Sequence, residues 1–279
     1  NALSGGGGMI AALAGGVAGI GLAAFASTET ALIVAGLLYS FGALVARRIS
    51  DPMAHPHEHL ERMRNAVARI ASELIEGIGA IWVRERARLP LLGIFVLRVS
   101  AIFVALIAIE VIRTEYAAAD DSGRLSASAL ALGAAGAGAF IGALSAPAMG
   151  RRFSTPALLI VGFIVSGASM LFVAPVLTLT TTIGLTLFGG FGAFVAKVSV
   201  DAQVQGALPD GFRGRAFALY DILYNLASVV AALFLVAFVD ASLGVLLASG
   251  GLLVLALAGA LAWTMKKAGM FLSTETKVV

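Results

Sequence analysis

The chain has 279 residues, of which 59% are hydrophobic and 13% charged, against about 45–50% apolar and about 25% charged in an ordinary soluble domain. With a mean hydropathy of +0.98, that composition excludes a water-soluble globule and makes a bilayer its natural solvent. The lack of cysteine excludes disulfide frameworks, thiolate metal sites and cysteine nucleophiles, and a formal charge of +3 is too small at this length to suggest nucleic acid.

The chain opens on Asn1-Ala2-Leu3-Ser4 and four Gly, without Met, a basic n-region or a cleavage site, so it is expected to be a piece of a longer frame. A spanning helix needs about 20 mostly apolar residues to cross roughly 30 Å of hydrocarbon with its backbone satisfied internally. Eight segments qualify, near 9–26, 30–46, 90–112, 126–148, 156–174, 177–198, 216–239 and 243–264. Ser27-Thr28-Glu29 divides the first two and predicts a hairpin, since one continuous helix would place Glu29 at its centre.

Between the second and third spans, residues 47–89 begin with the breakers Asp51-Pro52 and His55-Pro56. Leu60, Met63, Val67, Ile70, Leu74, Ile78 and Ile81 then recur at three- and four-residue steps, which predicts an amphipathic helix. Trp82 with Arg84, Arg86 and Arg88 fits an interfacial anchor ahead of the third span. The resulting division is 1–46 with two spans, 47–89 as a connector, 90–265 with six spans, and 266–279 as a tail.

Eight spans put both ends of the chain on one side. The segments outside the spans on that side hold Arg47, Arg48, Arg62, Arg64, Arg69, Arg84, Arg86, Arg88, Arg151, Arg152, Arg213, Arg215, Lys266, Lys267 and Lys277, or 15 of the 19 basic residues. The opposite side has Arg113 and Arg124 only. By the positive-inside rule, the termini and the connector are cytoplasmic and the protein is a multi-pass protein of the cell membrane.

This layout resembles the major facilitator superfamily, with twelve spans in two six-span halves joined by a long cytoplasmic connector. The resemblance implies that residues 9–46 are the fifth and sixth spans and that six more complete the second half, so the chain alone is not expected to transport. Three stretches carry it. Gly7, Gly15 and Gly16 match the spacing of the exporters' antiporter motif, with Ala11 and Ala12 standing where Gly-Pro is usual. Gly142, Gly150, Arg151 and Arg152 in GALSAPAMGRR resemble the cytoplasmic loop between the second and third spans of a half, with Ala146-Pro147 replacing its acidic-basic pair. Gln205, Pro209, Arg213, Gly214 and Arg215 resemble the Q-x-x-x-P-x-x-x-R-G-R signature of the branch containing enterobactin exporters and macrolide efflux permeases.

Polar groups inside hydrocarbon cost about 2.5–3.5 kcal/mol each on insertion scales, so their placement is informative. The third span has Arg98, Ser100 and Glu110; the sixth has a Thr run and Lys197; the seventh has Asp221, Tyr224, Asn225 and Ser228 at i, i+3, i+4 and i+7 on one face. The family numbering implies that these three spans line the central cavity and that the apolar fifth and eighth face lipid. Arg98, Glu110, Asp221, Tyr224, Asn225 and Ser228 are the candidates for a substrate or proton pathway. Each also has a structural reading: Asp221 pairing with Arg213, Arg215 or Lys197, Arg98 snorkelling, and Thr hydroxyls bonding to helix carbonyls. Gly133, Gly136, Gly138 and Gly142 predict close packing of the fourth span through a G-x-x-x-G step.

His55, His57 and His59 read as a solvated loop rather than a metal site, and no phosphate-cradling loop or H-E-x-x-H pattern is present. The expectation is an all-α membrane protein with no enzymatic activity, cofactor or metal, acting as a monomeric secondary transporter. The resemblance implies export of small amphipathic, drug- or siderophore-like compounds in exchange for protons. An importer of the same fold, and a non-transporting scaffold docked through the connector helix, remain as alternatives.

Overall fold

The computed structural model describes residues 26–46, 75–79, 81–115 and 121–271, with single positions at 15, 18, 19, 22 and 72; at 28, 46, 121, 122 and 210–217 it describes the backbone alone. Seven helices are defined in this region: α1 (Thr28–Ala46), α2 (Glu85–Glu115), α3 (Asp121–Gly150), α4 (Thr155–Val173), α5 (Leu179–Ala207), α6 (Asp210–Ala237) and α7 (Leu243–Lys267). No strand occurs among the described residues, and α2 to α7 each contain a stretch long and apolar enough to cross a membrane. The all-α integral membrane architecture is therefore as expected, with the last six expected spans each falling on one helix.

Local chemistry sets the helix ends. Ser27 breaks the chain before α1, accepting the Thr30 N–H at 3.2 Å. Thr178 and Thr181 form a capping box at the start of α5, and Glu115 at the end of α2 adds an acceptor for the Leu179 N–H at 2.7 Å. After α7, Gly269 takes φ +66°. Its N–H reaches Lys266 O and the Met270 N–H reaches Met265 O, both at 3.0 Å, a Schellman closure that needs a residue tolerant of positive φ.

The six long helices alternate in direction. Glu115 with Leu179, and Ala174 against Gly244, gather one set of ends. At the other, Val83 to Arg86, Gly206, Ala207 and Ala268 surround a common pocket. Arg151 and Arg152 lie in the α3–α4 turn, which the Ser199 hydroxyl's bond to Thr155 O ties to this same end. The packing is also internally repeated. Replacing α2, α3 and α4 by α5, α6 and α7 turns the α3–α5 contact into α6–α2 and the α4–α5 contact into α7–α2, while α2–α5 and α4–α7 map onto themselves. Because α2 and α5 run in opposite directions, this is an inverted repeat of three helices.

Small residues allow the closest crossings. A Cβ at Gly138 would overlap the Leu187 carbonyl, and one at Gly142 would come within 2.7 Å of Phe191 O, so α3 and α5 touch backbone to backbone. The expected G-x-x-x-G contact is therefore made by Gly138 and Gly142, whereas Gly133 faces open space.

Several expectations are corrected. Residues 199–215 are not a loop: α5 continues to Ala207 and α6 starts at Asp210, leaving Leu208 and Pro209 between them. The polar residues there lie on helix ends, and among them Val200, Val204 and Leu208 stay in the apolar core. The stretch Gly142 to Gly150 is likewise helical, and only Arg151 to Ser154 form the turn. Helix α2 begins at Glu85, ahead of the expected 90. Helix α4 does not simply face lipid; 50% of its apolar stretch is buried, the largest share of the six. It is wedged between α5 and α7, with Leu159, Phe163 and Met170 inside. Of the connector helix, Ile81 is buried and Ile78 exposed, and most of the rest lies outside the described residues, as do most of the first expected span and His55, His57 and His59.

Helix α1 makes no contact with α2 to α7. Leu32, Ile33, Leu37, Leu38 and Phe41 are each more than 60% exposed, so its apolar surface is left for lipid or another protein surface.

Candidate functional site

At mid-depth of the bundle lies a cavity of about 330 Å³ between α2, α5 and α6, closed on one side by α4. Its walls are largely apolar, with Ile94, Leu97, Val104 and Phe194; Gly189 leaves open space where a side chain would stand, whereas the neighbouring Gly190 packs against the Ala135 backbone of α3. The polar groups come from named faces: Arg98 and Ser100 on α2, Ser166 and Ser169 on α4, Thr186 and Lys197 on α5, and Tyr220 and Tyr224 on α6. Helices α2, α5 and α6, the three spans expected to be polar, contribute to this cavity; α3 contributes Ala139, and α7 contributes nothing. The serines of α4 join them.

Arg98 is thirteen residues beyond Glu85, about 20 Å along the axis of α2. Its guanidinium carbon sits 3.6 Å from the centre of the Tyr224 ring, a cation–π contact worth about 2 kcal/mol when desolvated. The buried Nε has no hydrogen-bond partner. Tyr224 stacks with Tyr220 at 6.2 Å between centroids. Lys197 Nζ lies 5.6 Å from the Tyr220 ring and 2.7 Å from Asp201 Oδ2, with the two side chains 40% and 28% exposed. The other Asp201 oxygen is buried and unpartnered.

Arg98 and Tyr224 are the sequence candidates that the structure brings together. Glu110 is elsewhere, at the far end of α2, where Arg113 Nε is 3.6 Å from its Oε2. Asp221 and Asn225 are exposed and outside the cavity, and the Asn225 amide donates to the Asp221 carbonyl at 2.8 Å. Ser228 is half-buried and does not line the cavity. Lys197 pairs with Asp201. Gly142 is a packing residue, while Gly150, Arg151 and Arg152 are exposed at the basic end. Gln205 lies in the last turn of α5 and Pro209 occupies the position before α6. The side chains of Arg213 and Arg215 lie outside the described residues, with Gly214 between them; Gly7 and Gly16 also lie outside, and Gly15 is an exposed helical position.

Sequence reasoning missed Tyr220 and Asp201. Both carried a signal: Tyr220 precedes Tyr224 by four, and Asp201 follows Lys197 by four, the spacing of neighbours on a helix face. The second signal was hidden because Asp201, Gln203, Gln205, Gly206 and Pro209 together read as loop.

The 29 residues of α5 also hold the site in place. The Thr186 hydroxyl bonds to Ile183 O at 3.0 Å, as expected of a threonine within a span. Gln203 Nε2 donates to Ser199 Oγ at 2.9 Å, and Ser199 donates to Thr155 O. This chain of bonds fixes the last turns of α5 against the start of α4, one helical turn from Asp201.

The family model described as Major Facilitator Superfamily matches residues 1–232 of the chain. No curated protein and no solved structure matches it.

Proposed function

Since the chain belongs to the Major Facilitator Superfamily, we propose that it acts in a secondary active transporter that exports small amphipathic compounds in exchange for protons. The observation that carries this reading is the mid-depth cavity, with Arg98 stacked on Tyr224 in the middle of a membrane-spanning bundle. A guanidinium at that depth is costly unless it serves a water-filled or ligand-filled space. The apolar walls suit the body of an amphipathic compound, and the few polar groups suit its orientation.

In this reading the cavity opens and closes by rocking against a second bundle. Asp221 and Asn225 are exposed on α6, and a carboxylate facing hydrocarbon would be expensive, so that face supports a protein or aqueous neighbour. Helix α1, which packs on none of the other described helices, would belong to the neighbouring bundle. The basic residues gathered at one end support cytoplasmic termini.

Proton coupling is assigned to Asp201. Among the described residues it is the carboxylate paired with a cavity-lining cation, Lys197 at 2.7 Å. Glu110, twelve residues from Arg98 and about 18 Å along the axis, is too far to share that role directly.

The test uses cells expressing the complete reading frame that contains this chain, loaded with a fluorescent amphipathic dye. Export predicts lower accumulation than in cells lacking the gene, and a protonophore abolishes the difference. Higher accumulation that the protonophore collapses would make it an importer. No difference for any compound across a broad panel would refute transport.

A further inference from the structure

We propose that the cavity selects amphipathic anions, compounds that carry a carboxylate or similar acidic group on a compact apolar body. This deepens the transporter reading and rests on it. Three observations converge. The cavity is lined by two cations, Arg98 and Lys197, and by no Asp or Glu among the described residues. The Lys197 charge is compensated by Asp201 at 2.7 Å. Arg98 takes part in no salt bridge among the described residues, and its buried Nε has no acceptor. Among the described residues, Arg98 is thus a cavity cation without a carboxylate partner.

The geometry says where that charge is available. Tyr224 covers one face of the guanidinium at 3.6 Å, so the remaining hydrogen-bonding capacity lies along its N–H edge. A carboxylate accepts two parallel bonds from such an edge, and no neutral or cationic group matches it equally well. The apolar walls, Ile94, Leu97 and Phe194 among them, take the rest of the molecule. At about 330 Å³ the space is at the small end of ligand sites, which run from roughly 300 to 1,000 Å³, and suits a compound of one or two fused rings. A cationic compound would meet like charge at close range, which disfavours it.

The experiment compares three probes with one ring system and different charge: 2-naphthoate, 2-naphthamide and 2-naphthylmethylamine, the last protonated at pH 7. Binding to the protein of the complete reading frame in lipid nanodiscs is read from naphthyl fluorescence anisotropy. Naphthoate is expected to bind about tenfold or more tightly than naphthamide, as a charge-assisted bidentate contact implies, with the amine weakest. Arg98→Gln should remove that preference. Arg98→Lys should retain a preference for the anion at reduced affinity, which separates loss of charge from loss of fold. Arg113→Gln, at the far end of α2, should change nothing. Equal binding of the three probes, no binding of any, or a preference that survives Arg98→Gln would overturn the assignment. Those outcomes differ from failure of the transporter reading, which shows as absence of gradient-dependent movement of every compound in cells.

Discussion

The α3–α5 crossing gives a direct measure of how tightly this bundle is built. At Gly142 an added Cβ would lie 2.7 Å from Phe191 O and 3.3 Å from both Phe191 Cα and Phe194 Cβ. Carbon and oxygen do not approach so closely without displacement, and the nearest atom is backbone, which cannot rotate away. Gly142→Ala must therefore push the helices apart by about half an ångström, an overpacking that costs about 1–3 kcal/mol. At Gly133 on the same helix nothing lies within 4 Å of an added Cβ, so Gly133→Ala gains only the helix preference of Ala over Gly, about 0.5–1 kcal/mol. The same chemical change is expected to differ in effect by about 1.5–4 kcal/mol between two positions nine residues apart. At about 2–4 °C per kcal/mol for a domain of this size, Gly142→Ala should lower the melting temperature by about 2–12 °C while Gly133→Ala leaves it level or raises it slightly. Thermal unfolding in detergent, followed by Trp82 and Trp263 fluorescence, reads the difference. Equal shifts, or a larger loss at Gly133, would refute the close crossing.

Three further outcomes are expected. Asp201→Asn leaves the half-buried Lys197 without its ion pair, so it should destabilise by about 1–2 kcal/mol, less than a fully buried pair because both partners are partly exposed. In cells it should abolish protonophore-sensitive export, whereas Glu110→Gln should leave export within a few-fold of the parent; equal effects would remove Asp201 from the coupling step. The chain has no native Cys, so single-cysteine variants report topology without background. Arg151→Cys should react with an impermeant maleimide only from the cytoplasm and Val176→Cys only from outside, and labelling of both from one side would invert the alternating path. Asp221→Cys should be labelled by a water-soluble thiol reagent in membranes while Leu233→Cys, 63% exposed on the same helix, should not; reaction at both or at neither would place the two positions in one environment.

Most of the helix count was legible because lipid imposes a strict requirement on length and hydropathy, and α2 to α7 satisfy it without help from packing. The ends were not legible by the same means. Hydropathy marks where a helix leaves the apolar layer, not where its hydrogen bonds stop, and α5 runs nine residues beyond the expected 198 to Ala207. That error had a chemical consequence, since it turned the Lys197–Asp201 pair, two neighbours on a helix face, into a lysine in a span and an aspartate in a loop. Apolarity also failed to separate lipid from protein. A side chain such as Phe163, 1% exposed, is as apolar as Phe172 on the same helix, 88% exposed, so α4 read as wholly lipid-facing when half of its apolar stretch is buried.

The stripe on α6 shows how a correct periodicity can still merge two environments. At 100° per residue, Tyr220 and Tyr224 are 40° apart and share a face, as do Asp221 and Asn225, but the centres of those two pairs are separated by about 100°. Spacing of i, i+3, i+4 and i+7 thus describes a broad arc rather than a line. The tyrosine edge of that arc turns into the cavity, where Tyr224 meets Arg98, and the Asp221–Asn225 edge remains exposed. Both edges are polar for reasons that fit their positions: the first because rings with hydroxyls can stack on cations and face a polar space, the second because no carboxylate persists against acyl chains without a partner or water. One helix therefore joins the cavity of this bundle to the surface on which a second bundle would move.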